Sequence, residues 1–136
     1  MTYAVGTALQ GAVYQRLSTD TVLLGLLGPA VFDALPAGPL PEVYVVLGQE
    51  DARDLSSATH GGAVHRFTVT IVAGTGGFKR AKEAAGAVSD ALVDADIGLD
   101  RGRLVSLRFL SARARRSRAG AARRIDLTFQ AIVEDD

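Results

Sequence analysis

Two stretches of alternation constrain this chain most. From Val64 to Ala73, Phe67, Val69, Ile71 and Ala73 share one face, while Arg66, Thr68 and Thr70 take the other. From Arg123 to Val133, Ile125, Leu127, Phe129, Ala131 and Val133 repeat the pattern. A period of two sorts residues by face on a strand and scatters them around a helix. Each stretch is therefore a strand with one face towards a core. Strands with one apolar and one polar face belong to a sheet covered on one side only, the usual antiparallel case.

The rest of the chain supplies the cover. Val5, Leu9, Val13 and Leu17 recur every fourth residue, which predicts a helix over Thr2–Leu17. Asp20 reads as an N-cap for a short helix over Thr21–Leu27, stopped by Gly28-Pro29. Phe78–Ala95 reads as a third helix, with Ala81, Ala84, Ala85, Val88 and Leu92 on one side and Lys79, Lys82, Glu83 and Asp90 on the other. Val31–Leu35 reads as a short edge strand, and Glu42–Gly48 as a strand delivered by Pro39 and Pro41. Arg103–Ala112 reads as another, with Val105, Leu107 and Phe109 sharing a face. Gln49–Gly62 is polar and reads as a long mobile loop. Arg103–Ala112 and Arg123–Val133 most simply form an antiparallel hairpin. The predicted fold class is α+β: a mainly antiparallel four-stranded sheet with helices packed on one face, in the order α-α-β-β-β-α-β-β. A chain of 136 residues makes this one domain, 1–136. The wet face would carry Thr68, Thr70, Ser106, Arg108, Asp126, Thr128 and Gln130.

Composition narrows the function. There is no cysteine, so disulfides, thiolate nucleophiles and cysteine-based zinc sites are excluded. Lys plus Arg and Asp plus Glu are 15 each, and a neutral chain is not a generic nucleic-acid binder. No apolar run approaches the ~18 residues of a spanning helix, and Met1–Leu17 lacks the form of a signal peptide. A soluble protein made in the cytoplasm, with no membrane partner, is expected.

No catalytic constellation stands out. Gly74-Thr75-Gly76-Gly77 precedes a helix, but neither phosphate-binding glycine motif is present, so a turn is the simpler reading. His60 and His65, with Glu50, Asp51 and Asp54 upstream, lack metal-ligand spacing and read as surface histidines. Ser56, Ser57, Asp54 and His60 have no nucleophile elbow to organise them. Asp126, on an outward face, offers no burial to raise a pKa. No catalytic residue, metal ligand or cofactor is assigned.

The sharpest feature is a run of six arginines in twelve residues: Arg113, Arg115, Arg116, Arg118, Arg123 and Arg124. Guanidinium groups take carboxylate or phosphate bidentately, so this hairpin tip is a candidate contact for an acidic partner or for DNA. A solvated tip that keeps a sheet edge from aggregating is the equal alternative. With no interleaved aromatics, any DNA contact would be independent of sequence. The acidic end, Glu134-Asp135-Asp136, could pair with a neighbour's arginines or stay disordered.

The ordered set of segments resembles the tail-completion or tail-terminator proteins of long-tailed (siphovirus-like) phages and of gene transfer agents. The resemblance rests on Val13-Tyr14-Gln15-Arg16-Leu17, Leu23-Leu24-Gly25-Leu26-Leu27-Gly28 and the proline-delivered strand Leu40–Gly48. Thr59-His60-Gly61-Gly62 before the strand Arg66–Val72, Gly77–Ala84 opening the third helix, and Leu104–Phe109 complete it. It implies a homo-hexameric ring on the last disc of the tail tube. Such a ring would touch the major tail tube protein and the head-completion or stopper protein of the neck, with DNA passing through its centre. It also implies manufacture in a bacterial cytoplasm, then incorporation into the particle at the head–tail junction. The family carries no catalytic residues to transfer. The arginine tip and the Gln49–Gly62 loop are expected to make ring or neck contacts. The alternative is a small oligomeric ligand-binding or regulatory module, which would need a deep pocket between sheet and helices.

Overall fold

The computed structural model describes residues 3–55, 61–74, 78–116 and 122–135. Its elements are α1 (Val5–Ser18), α2 (Thr21–Leu27), β1 (Val31–Phe32), β2 (Val43–Asp54), β3 (Gly62–Ala73), α3 (Phe78–Leu92), β4 (Arg103–Arg116) and β5 (Arg123–Glu134). One sheet runs β1-β2-β3-β5-β4, parallel only between β1 and β2. The α+β class and the element order match the sequence reading. The sheet has five strands rather than four, because Val31 and Phe32 join it beside Val45 and Val46.

The α1 stripe forms because its four-residue spacing stacks Val5, Leu9, Val13 and Leu17 on one face, all at most 2% exposed. Burying a side chain of this size contributes roughly 1.5–3 kcal/mol. The Asp20 carboxylate accepts from the Leu23 amide at 3.0 Å and starts α2. Arg16 ties α1 to α3 by donating from Nε to the Ala91 carbonyl at 2.9 Å. On α3, Ala81, Ala84, Val88 and Leu92 are at most 1% exposed, and the alanines bring the helix close to the sheet. Opposite them lie Val69, Ile71, Leu127 and Phe129, with Phe67 stacked on Phe129 at a centroid distance of 5.7 Å.

Three sequence readings are corrected. First, most of the expected Gln49–Gly62 loop is strand, with β2 paired to β3 as far as Asp54↔Ala63. The register shifts between Leu47 and Glu50, so residues 48 and 49 together face Thr68. This bulge changes the parity of β2, and the broken alternation hid the strand. Second, β4 also slips, between Leu104 and Ser106 and between Phe109 and Ser111. Val105 therefore leaves the Leu107 face and is 45% exposed. Third, His65 is fully buried rather than on the surface. Its parity with Phe67 and Val69 places it inward, which the reading as a surface histidine overlooked. Among the described residues no helix is long and apolar enough to cross a membrane.

Candidate assembly surface

The β4–β5 hairpin continues past the core as an arm. From Ser111 to Arg116 every residue of β4 is exposed. Pairing of Arg113 with Asp126, Arg115 with Arg124 and Arg116 with Arg123 sets the side chains by parity. Arg113, Arg115 and Arg124 share the outer sheet face with Asp126. Arg116 and Arg123 take the helix side. Arg118 lies outside the described residues, as do Ser56, Ser57 and His60.

Asp126 organises the outer face. Its carboxylate accepts from the Thr70 hydroxyl at 2.7 Å, from Arg115 at 3.2 Å and from Arg124 at 3.2 Å. Burial alone would raise its pKa. The Thr70 bond and the two guanidinium groups outweigh that and hold the acid below its ordinary value. Thr70, expected on the wet face, is 3% exposed because this cluster covers it. The side chains of Arg113 and Arg116 have no hydrogen-bond or ion-pair partner among the described residues.

The structure adds bases the sequence reading had set aside as a solvated helix face. Arg123 lies over the Phe78 ring at 5.6 Å, and Lys82 approaches the same ring at 5.9 Å. This contact gathers Lys79, Arg80 and Lys82 at the root of the arginine arm. A cation in the first turn of a helix opposes the macrodipole, at a cost of about 0.3–1 kcal/mol. That misplaced charge is the signal sequence reasoning missed.

The opposite end is acidic. After α3 the chain returns past Leu107, whose carbonyl accepts from the Asp94 amide at 2.9 Å. It then reaches Arg103, at the far end of β4 from the arm. Asp96 and Asp100 on this return border an open groove of about 530 Å³ against α1. Glu134 and Asp135 are used within the chain, at 2.7 Å from Arg103 and 3.0 Å from Arg101. They are not a free acidic tail, and Asp136 lies outside the described residues.

The other candidates separate. His65 stacks beneath Tyr3 with ring centroids 6.0 Å apart, and its Nδ1 lies 3.4 Å from the Glu50 carboxylate. That carboxylate also accepts from the Tyr3 hydroxyl, and this bond, more than burial, raises the phenol's pKa. With His65 fully buried, a dissolved substrate has no access to the ring. Among the described residues no group of three His, Asp or Glu side chains is placed to hold a metal ion. The Glu42 carboxylate fills the place where a Cβ on Gly74 would stand, so a phosphate there would meet an acid. Thr75, Gly76 and Gly77 lie outside the described residues. Between α1 and the sheet, a cavity lined by Leu9, Val13, Leu47 and Phe67 holds about 30 Å³, room for one water.

A chain from a structure described as the virion of a native gene transfer agent particle is 56% identical, covering 98% of this chain and 99% of that one, with a TM-score of 0.93. A second solved structure is 16% identical, covers 98% of this chain and 96% of its own, and has a TM-score of 0.55, which speaks to the fold alone. No curated protein matches the sequence. A family model described as "Tail completion protein gp17" matches residues 11–134. The chain belongs to the tail completion protein gp17 family.

Proposed function

We propose that this protein is a structural component of a phage or gene transfer agent particle. It forms a ring, hexameric by family resemblance, that ends the tail tube and joins it to the neck, with DNA passing through the centre. Its partners are then further copies of itself, the major tail tube protein and a head-completion or stopper protein. It is made in the bacterial cytoplasm and incorporated at the head–tail junction. It works by assembly and not by catalysis.

The observation that carries this reading is the likeness over nearly the whole chain, at 56% identity and a TM-score of 0.93, to a chain of a gene transfer agent virion. The geometry supports it. Beyond the two residues of β1, β2 has an open edge, and β4 is an edge strand whose free side is met at Leu107 by the Asp94 amide, so among the described residues both edges leave backbone able to meet other chains. Exposed basic residues gather at one end of the long hairpin and exposed acids, Asp96 and Asp100, near the other. The ligand-binding alternative gains no support from the cavity beneath α1, which is too small for a metabolite.

Electron microscopy of particles from a producing strain lacking this gene tests the role. Overlong or headless tails are expected, restored by the gene in trans. Normal tails joined to filled heads would refute it.

A further inference from the structure

The charges of α3 run against its own dipole. Lys79, Arg80 and Lys82 crowd its positive N-terminal end, and Asp90 stands at its negative C-terminal end, with Asp94, Asp96 and Asp100 following. Neither group helps the helix. The same division extends through the fold. The basic end continues into the exposed arm, where Arg113 and Arg116 have no partner. The acidic end continues into the α1 groove, where Asp96 and Asp100 are exposed and have no partner among the described residues. The chain as a whole is neutral.

We infer that the basic arm of one copy docks in the acidic groove of the next. The inference rests on the ring reading and names the contact that would build the ring. The groove is about 530 Å³, has a wall of small residues, Ala8, Gly11 and Ala12, and is bordered by two acids, Asp96 and Asp100, against one base, Arg16, whose Nε is held by the Ala91 carbonyl. A Cβ on Gly11 would meet nothing within 4 Å, so that wall is open to an incoming strand. The arm carries Ala112, Ala114 and Arg116 on its helix side and Arg113 and Arg115 on its outer face, so a strand seated in the groove presents both kinds of side chain to its walls. It brings short apolar side chains for the wall, and guanidinium groups whose stems lie along apolar surface while their heads reach the carboxylates. Donor and acceptor surfaces sit at opposite ends of β4, so the contact is heterologous and leaves both ends of any open chain unsatisfied. Such a contact repeats until rotation closes it into a ring. DNA would be repelled by the groove, which is why a second copy is the occupant.

The test uses Asp96→Lys/Asp100→Lys for the groove and Arg113→Glu/Arg116→Glu for the arm, with Arg113→Gln/Arg116→Gln as a milder arm variant. All four positions are exposed, and circular dichroism and melting verify the fold. Sedimentation velocity is run on the full chain at about 50 mM and about 500 mM salt, where screening differs several-fold in range. The wild type should self-associate more strongly at low salt, and each charge reversal alone should weaken association by about a hundredfold or more. An equimolar mixture of the two charge-reversed proteins should reassemble, since each arm then faces an opposite groove. An alternating ring closes only on an even number of copies. A wild type that stays monomeric at low salt, reversals that assemble normally, or a mixture that fails to recover would each overturn the docking. So would an arm variant that assembles normally but loses DNA binding, which would assign the arm to DNA. Microscopy of the tail ends separates the two readings. A ring built from either charge-reversed protein alone refutes this contact and leaves the ring standing, whereas wild-type tails ending without a ring remove the ring itself.

Discussion

Phe129→Ala is the most informative single perturbation of this fold. Phe129 is fully buried at the middle of β5, the strand that joins β3 to β4. It stacks on Phe67 at 5.7 Å and meets Phe109 edge-on at 6.0 Å. Truncation removes a wholly buried ring, leaves a cavity and ends both pairs. Large-to-small changes of this kind cost about 3–5 kcal/mol, and the loss of two aromatic pairs at roughly 0.5–1.5 kcal/mol each places this one in the upper half. Phe109 is 43% exposed and makes only the edge contact, so Phe109→Ala should cost about 1–2 kcal/mol. Urea denaturation followed by circular dichroism reads the difference as a fall in midpoint at constant slope. Equal losses for the two variants would show that β4 is packed as deeply as β5 and would refute the exposed-arm geometry.

Asp126→Asn should destabilise the protein at neutral pH by about 1–2 kcal/mol, since it removes the charge that Arg115 and Arg124, themselves half exposed, hold in place. The folded pKa lies below the ordinary 3.8, so the wild type's advantage is full above that value and fades as pH falls through the folded pKa. A difference that persists unchanged to the most acidic pH at which the fold survives would contradict the assignment. His65→Leu should cost less than about 1 kcal/mol or be stabilising, because neither ring nitrogen has a hydrogen-bond partner; a thermal melt showing severe loss would reveal a bond that this geometry lacks. Asp20→Ala should cost about 0.5–2 kcal/mol through the lost α2 cap, and a neutral result would make that cap incidental. Replacing Arg113, Arg115, Arg116, Arg118, Arg123 and Arg124 by serine should impair particle assembly while leaving the protein folded, with a melting temperature lowered about as much as by loss of the Asp126 ion pairs. Normal gene-transferring or infectious particles from that variant would exclude a contact role for the arm.

Local patterning alone located every element of this fold. The four-residue stripe of α1, the cap at Asp20 and the alternation in β3 and β5 are properties of neighbours in the chain, and the helix and strand periods impose them before any packing. The arginine run was equally visible. What the sequence left undecided depends on partners distant in the chain. Strand order is one case: the β4–β5 hairpin was legible, but not that β5 lies beside β3 and leaves β4 at the edge. The bulges are another: an extra residue in β2 or β4 becomes legible only against the register of its neighbour, so the end of β2 read as a loop and Val105 as core. Asp126 reads as a wet-face acid until Thr70, brought alongside from β3, and the arginines close over it. Lys79, Arg80 and Lys82 read as a solvated helix face until Phe78 meets Arg123 from the far strand. The sequence by itself therefore determined the apolar faces of α1, α3 and β5 and that a basic segment exists. The tertiary structure alone decided that this segment is the end of a free arm with acidic groove walls at the opposite end, because only folding sets charges far apart in the chain at the two ends of one sheet.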